Sequence, residues 1–154
     1  MTYFEDLSPN PSFGQWADIL LSVGWLDSAH DYPRGTVTPA FFRALVQLLV
    51  EPWHPGGALA GRHPCSFCPF TGGPGSLVFE GSTVTLGSAN LFVPGPSGKV
   101  YVAPSLIAHY IDAHGYVPPE ELQRAVLECP TMRTMPYLKA LRERGLGVRL
   151  ISMA

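Results

Sequence analysis

Charge is scarce in this chain: 14 % of its residues are Asp, Glu, Lys or Arg, against about 25 % in an ordinary soluble domain. A surface so poor in charge predicts a face covered by a protein partner or by a second copy in a homo-oligomer. The charge that is present sums to −2 and is dispersed, apart from a small group at Lys139, Arg142 and Arg144. Nucleic-acid binding needs clustered cations that displace counterions from phosphates, so the composition argues against a nucleic-acid partner. Long apolar runs are missing as well, and none approaches the roughly 18 residues that span a bilayer. The opening MTYFEDLSPNPSFGQW has no basic segment leading into an apolar one, the pattern of an export signal. No membrane association is expected, and the chain reads as soluble and cytoplasmic. Cysteine is limited to three residues. An odd number without an export signal suits reduced thiols or thiolate ligands better than a disulfide framework. There is no Walker A motif, no Rossmann glycine fingerprint and no Gly-x-Ser-x-Gly elbow. TGGPGS (71–76) is glycine-rich but lacks the lysine and the following helix that hold a phosphate.

Glycine and proline are abundant, with 16 residues of each. That is too many for a helical bundle and too irregular for collagen. A chain of 154 residues suits a single domain, residues 1–154, and buries roughly two thirds of its unfolded surface, so metal is not obligatory for folding. The expected fold is α+β: a small antiparallel sheet, hairpin or meander, packed with about four helices. ILLSVGWLD predicts a buried strand ending at Asp27, because Gly24 interrupts any helix there. TPAFFRALVQLLV predicts a helix over 38–50, with Thr38 as cap, Pro39 in the first position, and Phe42, Leu45, Val46 and Leu49 on one face. Residues 51–75 read as a loop around the cysteines. SLVFE, TVTL, NLFV and KVYVA between 76 and 103 read as strands separated by turn residues. APSLIAHYIDAHG predicts a helix from near Pro104 to Gly115. A helix after VPPEEL should bury Leu122, Ala125 and Val126, another should span about 134–144 between Thr134 and Gly145, and GVRLISM reads as a closing strand.

The chemistry concentrates in two spacings. Cys65-x2-Cys68 aims two sulfurs at one point through a tight turn, and His109-x4-His114 sits at the end of the helix beyond the strands. Together they have the ligand grammar of a zinc finger, with a 40-residue insertion between Cys68 and His109. Five residues at 100° each leave the two imidazoles about 140° apart on an ideal helix. The last turn must therefore tighten or the helix must end at His114, which Gly115 permits. The expected metal site is Cys65, Cys68, His109 and His114 around zinc, with His63 as the substitute for His114.

Other readings of the same residues are weaker. Cysteines can serve as small core hydrophobes, and a lone His109 would be a hydrogen-bonded core histidine. A redox Cys-x-x-Cys wants a helix after its first cysteine, whereas PFTGGPG breaks any helix. Pro64-Cys65-x-x-Cys68 is half of the zinc-deaminase signature, but His-x-Glu is missing: His30 is followed by Asp31 and Tyr32, and His54 by Pro55 and Gly56. A small hydrolase-like zinc enzyme with an open coordination position is the enzymatic alternative, with Asp27, His30 or Glu80 as hypothetical bases. In GWLDSAHDYPRG, His30 reads more simply as a turn histidine bonded to Asp27 or Asp31. Cys129 is expected to be buried and unreactive.

SVGWLDSAHDYPRG, HPCSFC and VYVAPSLIAHYIDAHGYVPPEELQRAV resemble a group of short bacterial proteins of uncharacterised function. The shared pattern is His-x-Cys-x-Phe-Cys, a His-Tyr-Ile helix, and a His-Gly-Tyr-x-Pro-Pro turn. Here it falls on His63, Cys65, Phe67, Cys68, His109, Tyr110, His114, Tyr116, Pro118 and Pro119. The likeness runs to about Val126, and TMRTMPYLKAL has no counterpart in it. The resemblance implies a metal site and no particular reaction.

Overall fold

A computed structural model of the chain describes residues 2–53 and 63–146. Five strands and four α-helices follow one another: β1 (Leu20–Ser22), α1 (Pro39–Val50), β2 (Ser76–Phe79), β3 (Ser82–Thr85), β4 (Asn90–Pro94), β5 (Val100–Pro104), α2 (Ile107–His114), α3 (Glu120–Glu128) and α4 (Met135–Glu143), with a short 3₁₀ segment at Pro11–Trp16. The fold is α+β. No helix among the described residues is long and apolar enough to cross a membrane.

The antiparallel pairings expected between 76 and 103 form, but as two sheets. β2 and β3 make a hairpin whose two-residue turn, Glu80-Gly81, has both φ angles positive (47° and 81°), the conformation that matches strand twist in tight hairpins. β4 and β5 pair antiparallel, and β1 joins β5 in parallel, giving the order β1-β5-β4. β1 ends at Ser22 and not at Asp27. Gly24 turns the chain away at φ 76°, with Ile107 filling the space a Cβ would need and the Asp6 carboxylate accepting its N–H at 3.0 Å. α2 likewise begins at Ile107, because Pro104 is the last residue of β5.

Every residue of β4 and β5 is buried. Side chains alternate across a strand, so Leu91, Val93, Tyr101 and Ala103 face the main core with α1, α2 and α3. Phe92, Val100 and Val102 face a second cluster with Leu20, Tyr137 and Leu141. Trp25 Nε1–H donates to the Val102 carbonyl at 2.9 Å, and the Tyr137 hydroxyl to that of Phe92 at 2.6 Å.

The helices start where their caps place them. Thr38 accepts from the Phe41 N–H and Thr134 from the Tyr137 N–H, each with proline in the first turn. α3 buries Leu122, Ala125 and Val126, the face its spacing predicts. The closing strand read from GVRLISM lies outside the described residues.

Candidate metal centre

The loop that enters the site is built on backbone bonds. His63 N–H donates to the Gly87 carbonyl at 2.8 Å, tying its start to the turn between β3 and β4. Cys65 N–H then donates to Gly72 O at 2.6 Å, Cys68 N–H to Cys65 O at 3.2 Å, and Gly72 N–H to Cys68 O at 2.8 Å. These bonds close a tight knuckle, and Gly72 and Gly73 hold positive φ angles of 68° and 91° on its return path. Gly73 is required by closeness as well. A Cβ there would lie 3.0 Å from Cys65 Cβ and 3.6 Å from His109 Nε2.

The opposite side is α2, which presents His109 and His114. The helix ends at His114, and Gly115 takes the left-handed conformation with its N–H on the Tyr110 carbonyl, the αL stop that glycine provides at low cost. Ending there resolves the divergence of the imidazoles. Their centroids stand 5.0 Å apart with planes 88° to one another, and both Nε2 atoms point at the sulfurs.

The resulting geometry is compact. Cys65 Sγ lies 3.5 Å from His114 Nε2, and Cys68 Sγ lies 3.5 Å from both His109 Nε2 and His114 Nε2. One ligand atom from each of the four residues lies within 4.8 Å of all the others. A tetrahedron with metal–sulfur bonds of about 2.3 Å and metal–nitrogen bonds of about 2.0–2.1 Å has S···N edges of about 3.5 Å. The cluster therefore has the dimensions of a Cys₂His₂ site and could hold a metal ion. His63 is not among the four; its backbone anchors the loop.

Electrostatics fit the same use. Burial pushes the Cys65 thiol up to about 11, so a nearby cation is what would favour its thiolate. The N–H groups of Phe67 and Cys68 already donate to its sulfur and favour the charged form. Burial, then His114, lowers the His109 pKa, while burial, then Arg34, lowers that of His114. Both rings are thus kept neutral, the form that offers a lone pair to a metal. Cys65 and His109 are buried, and Cys68 and His114 half-buried.

A collar that spacing did not reveal surrounds the four residues. The Tyr32 hydroxyl donates to the His114 carbonyl at 2.8 Å, satisfying one of the open carbonyls at a helix end. Its ring meets Phe67 edge-on at 5.3 Å, and Phe67 lies against Tyr110 and His114. Ser28 N–H donates to Ser66 Oγ, between the two cysteines. The only local hint was a tyrosine inside the turn-rich DSAHDYPRG.

The remaining candidates have other partners. His30 Nδ1 lies 2.6 Å from Asp27 Oδ1 and its ring stacks on Tyr3 at 3.7 Å. Glu80 is exposed and holds Arg43 with two bonds of 2.8 and 2.9 Å. Cys129 is half-buried, outside the cluster, and burial pushes its thiol up to about 12.

Comparison with curated proteins and with solved structures gives no match. A family model described as a domain of unknown function, DUF7919, matches residues 2–127. That span contains all four clustered residues and all but the last residue of α3; the chain belongs to this family.

Proposed function

We propose that residues 1–154 act as one zinc-stapled, non-enzymatic domain that presents a surface to a protein partner in the cytoplasm. The observation that carries this reading is the group of four ligand atoms within 4.8 Å, with S···N separations of 3.5 Å. Two thiolates and two imidazoles in a tetrahedron suit zinc better than magnesium or calcium, which take oxygen, or copper(II), which prefers a tetragonal arrangement. Cys65 and Cys68 would hold the ion from the knuckle, and His109 and His114 from α2.

Four protein donors fill a zinc tetrahedron, whereas a hydrolytic zinc keeps one position for water. Asp27 with His30, and Glu80 with Arg43, are already paired with one another and not with the cluster. The staple joins the segment ahead of the β2–β3 hairpin to a helix some 40 residues later. Metal bonds would contribute directly to holding those elements in register.

The test is metal analysis of protein expressed in a reducing cytoplasm, with cobalt(II) substitution. One equivalent of zinc and the intense visible bands of tetrahedral cobalt with sulfur-to-metal charge transfer are expected. Zinc below about half an equivalent, or a cobalt spectrum of an octahedral site with bound water, would overturn the proposal.

A further inference from the structure

We infer that the Cys65–Cys68 pair is a redox latch: hydrogen peroxide oxidises the two sulfurs to one intrachain disulfide, which gives up the metal and frees the knuckle from α2. The inference rests on the zinc reading and deepens it by naming what regulates the site. It concerns one stoichiometric oxidation and not turnover of the thioredoxin kind, which wants a helix behind the first cysteine.

The knuckle already holds its sulfurs where a disulfide can form. Cys68 N–H donates to Cys65 O at 3.2 Å, the i to i+3 bond of a β-turn, whose end Cα atoms lie within about 7 Å. Bridged cysteines have Cα separations of about 4.4–6.8 Å. Cys65 Sγ and Cys68 Sγ belong to a group whose ligand atoms all lie within 4.8 Å of one another, and each is 3.5 Å from His114 Nε2. The pair meets no competing thiol, because the third and last cysteine of the chain, Cys129, stands outside the group.

Exposure sets the order of events. Cys65 is 2 % exposed, whereas Cys68 is half-buried and Ser66, Pro69 and Phe70 around it are exposed. The oxidant therefore meets Cys68 first. The Cys68 thiolate attacks one peroxide oxygen, the O–O bond breaks, and the departing hydroxide takes a proton from solvent, leaving Cys68 as a sulfenic acid. The Cys65 sulfur then attacks the Cys68 sulfur, the S–O bond breaks, and the second hydroxide also leaves as water. Two electrons pass from sulfur to peroxide. Two thiolates, two protons and one peroxide become a disulfide and two waters, and the ion departs with its charge unchanged.

Thiolate is the form of cysteine that ligates a metal, so the disulfide leaves two imidazoles in place of four ligands. The bonds that shape each half of the site involve no metal. They run from Cys65 to Gly72, Gly72 to Cys68 and His63 to Gly87 in the knuckle, and from Gly115 to Tyr110 at the end of α2. Each half therefore keeps its shape while the tie between them is lost.

The test treats the reduced, zinc-loaded full chain with about a tenfold excess of hydrogen peroxide, followed by a chromogenic zinc chelator, thiol counting and peptide mass mapping. Expected are release of one equivalent of zinc, loss of two of the three thiols, and a chain about 2 Da lighter with Cys65 linked to Cys68. The helical circular-dichroism spectrum should be unchanged, amide exchange at 63–73 should quicken, and dithiothreitol with added zinc should reverse both release and exchange. Cys129→Ser should release zinc as the parent does, and dimedone present during oxidation should label Cys68 ahead of Cys65. Zinc retained under peroxide, release accompanied by a bridge to Cys129 or by sulfinic acid that dithiothreitol does not reverse, or dimedone on Cys65 first would overturn the inference and leave the zinc site standing. Zinc below about half an equivalent before any oxidant is added would instead overturn the site reading itself, and this inference with it.

Discussion

Gly87 and His63 are joined so closely that the backbone of one lies where a side chain on the other would begin. The His63 N–H donates to the Gly87 carbonyl at 2.8 Å, and a Cβ on Gly87 would fall 2.5 Å from the His63 carbonyl oxygen. Gly87 also holds a φ of 84°, and its own N–H donates to Ser105 Oγ. Gly87→Ala therefore combines left-handed strain with a backbone clash, and should cost about 2 kcal/mol or more. For a chain of this size the melting temperature should fall by roughly 5 °C or more. Because the same contact sets the start of the knuckle, zinc affinity should fall with it, as a chelator competition would show.

The glycines of the two turns separate crowding from strain. Gly81→Ala meets nothing within 4 Å, so it should cost only the left-handed backbone penalty of about 1 kcal/mol and retain full zinc. Gly73→Ala meets Cys65 Cβ at 3.0 Å and faces His109 Nε2 at 3.6 Å. It should lower zinc affinity at least tenfold, read in the same chelator assay. Equal zinc affinities in the two variants would contradict the proposed ligand set.

Cys68→Ser should lose bound zinc and melt roughly 10 °C or more below the parent. A strong chelator should lower the parent to the same temperature and leave the variant unmoved. Differential scanning calorimetry with and without chelator gives both numbers. A chelator effect that survives in Cys68→Ser would place the metal elsewhere.

Tyr32→Phe removes the hydroxyl that serves the His114 carbonyl at 2.8 Å while leaving the ring on Phe67. The expected loss is about 1 kcal/mol in urea unfolding, with one equivalent of zinc retained.

Asp6 carries the pH prediction. Burial raises its pKa above 3.8, against the lowering effects of the Gly24 N–H and the Tyr116 hydroxyl that donate to it. A carboxyl whose folded pKa is raised binds its proton more tightly folded than unfolded. Its contribution is fully present below the unfolded value and is lost as pH rises through the folded one. Relative to Asp6→Asn, the parent should therefore gain stability as pH falls toward 3.8. Urea unfolding of both proteins between pH 4 and 7 checks the sign, and the comparison cancels acid loss at the metal centre, common to both.

What could be read from the sequence was what is local. Thr38-Pro39 and Thr134 with Pro136 mark helix starts because a hydroxyl and a ring act within one turn. Cys65-x2-Cys68 and His109-x4-His114 were readable for the same reason, each pair being held by its own element. Two things were not. The parallel pairing of Leu20–Ser22 with Val100–Val102 joins segments 80 residues apart, and nothing in a three-residue run specifies so distant a partner. Tyr32 and Asp6 act on residues 82 and 110 positions away, and only the assembled fold brings them there. His63 shows the converse: close to the cysteines in sequence, it contributes a backbone amide and no imidazole.

The burial of β4 and β5 on both faces bears on how this family can vary in length. Losing one residue between Asn90 and Pro94 would exchange the inward sets, sending Phe92 toward the helices and its neighbours toward Tyr137. The connection between these strands is closed by Gly95 N–H on the Lys99 carbonyl, and its Ser97 and Gly98 are exposed. Insertions and fusion tags belong at that tip, where added chain leaves the alternation of both strands untouched.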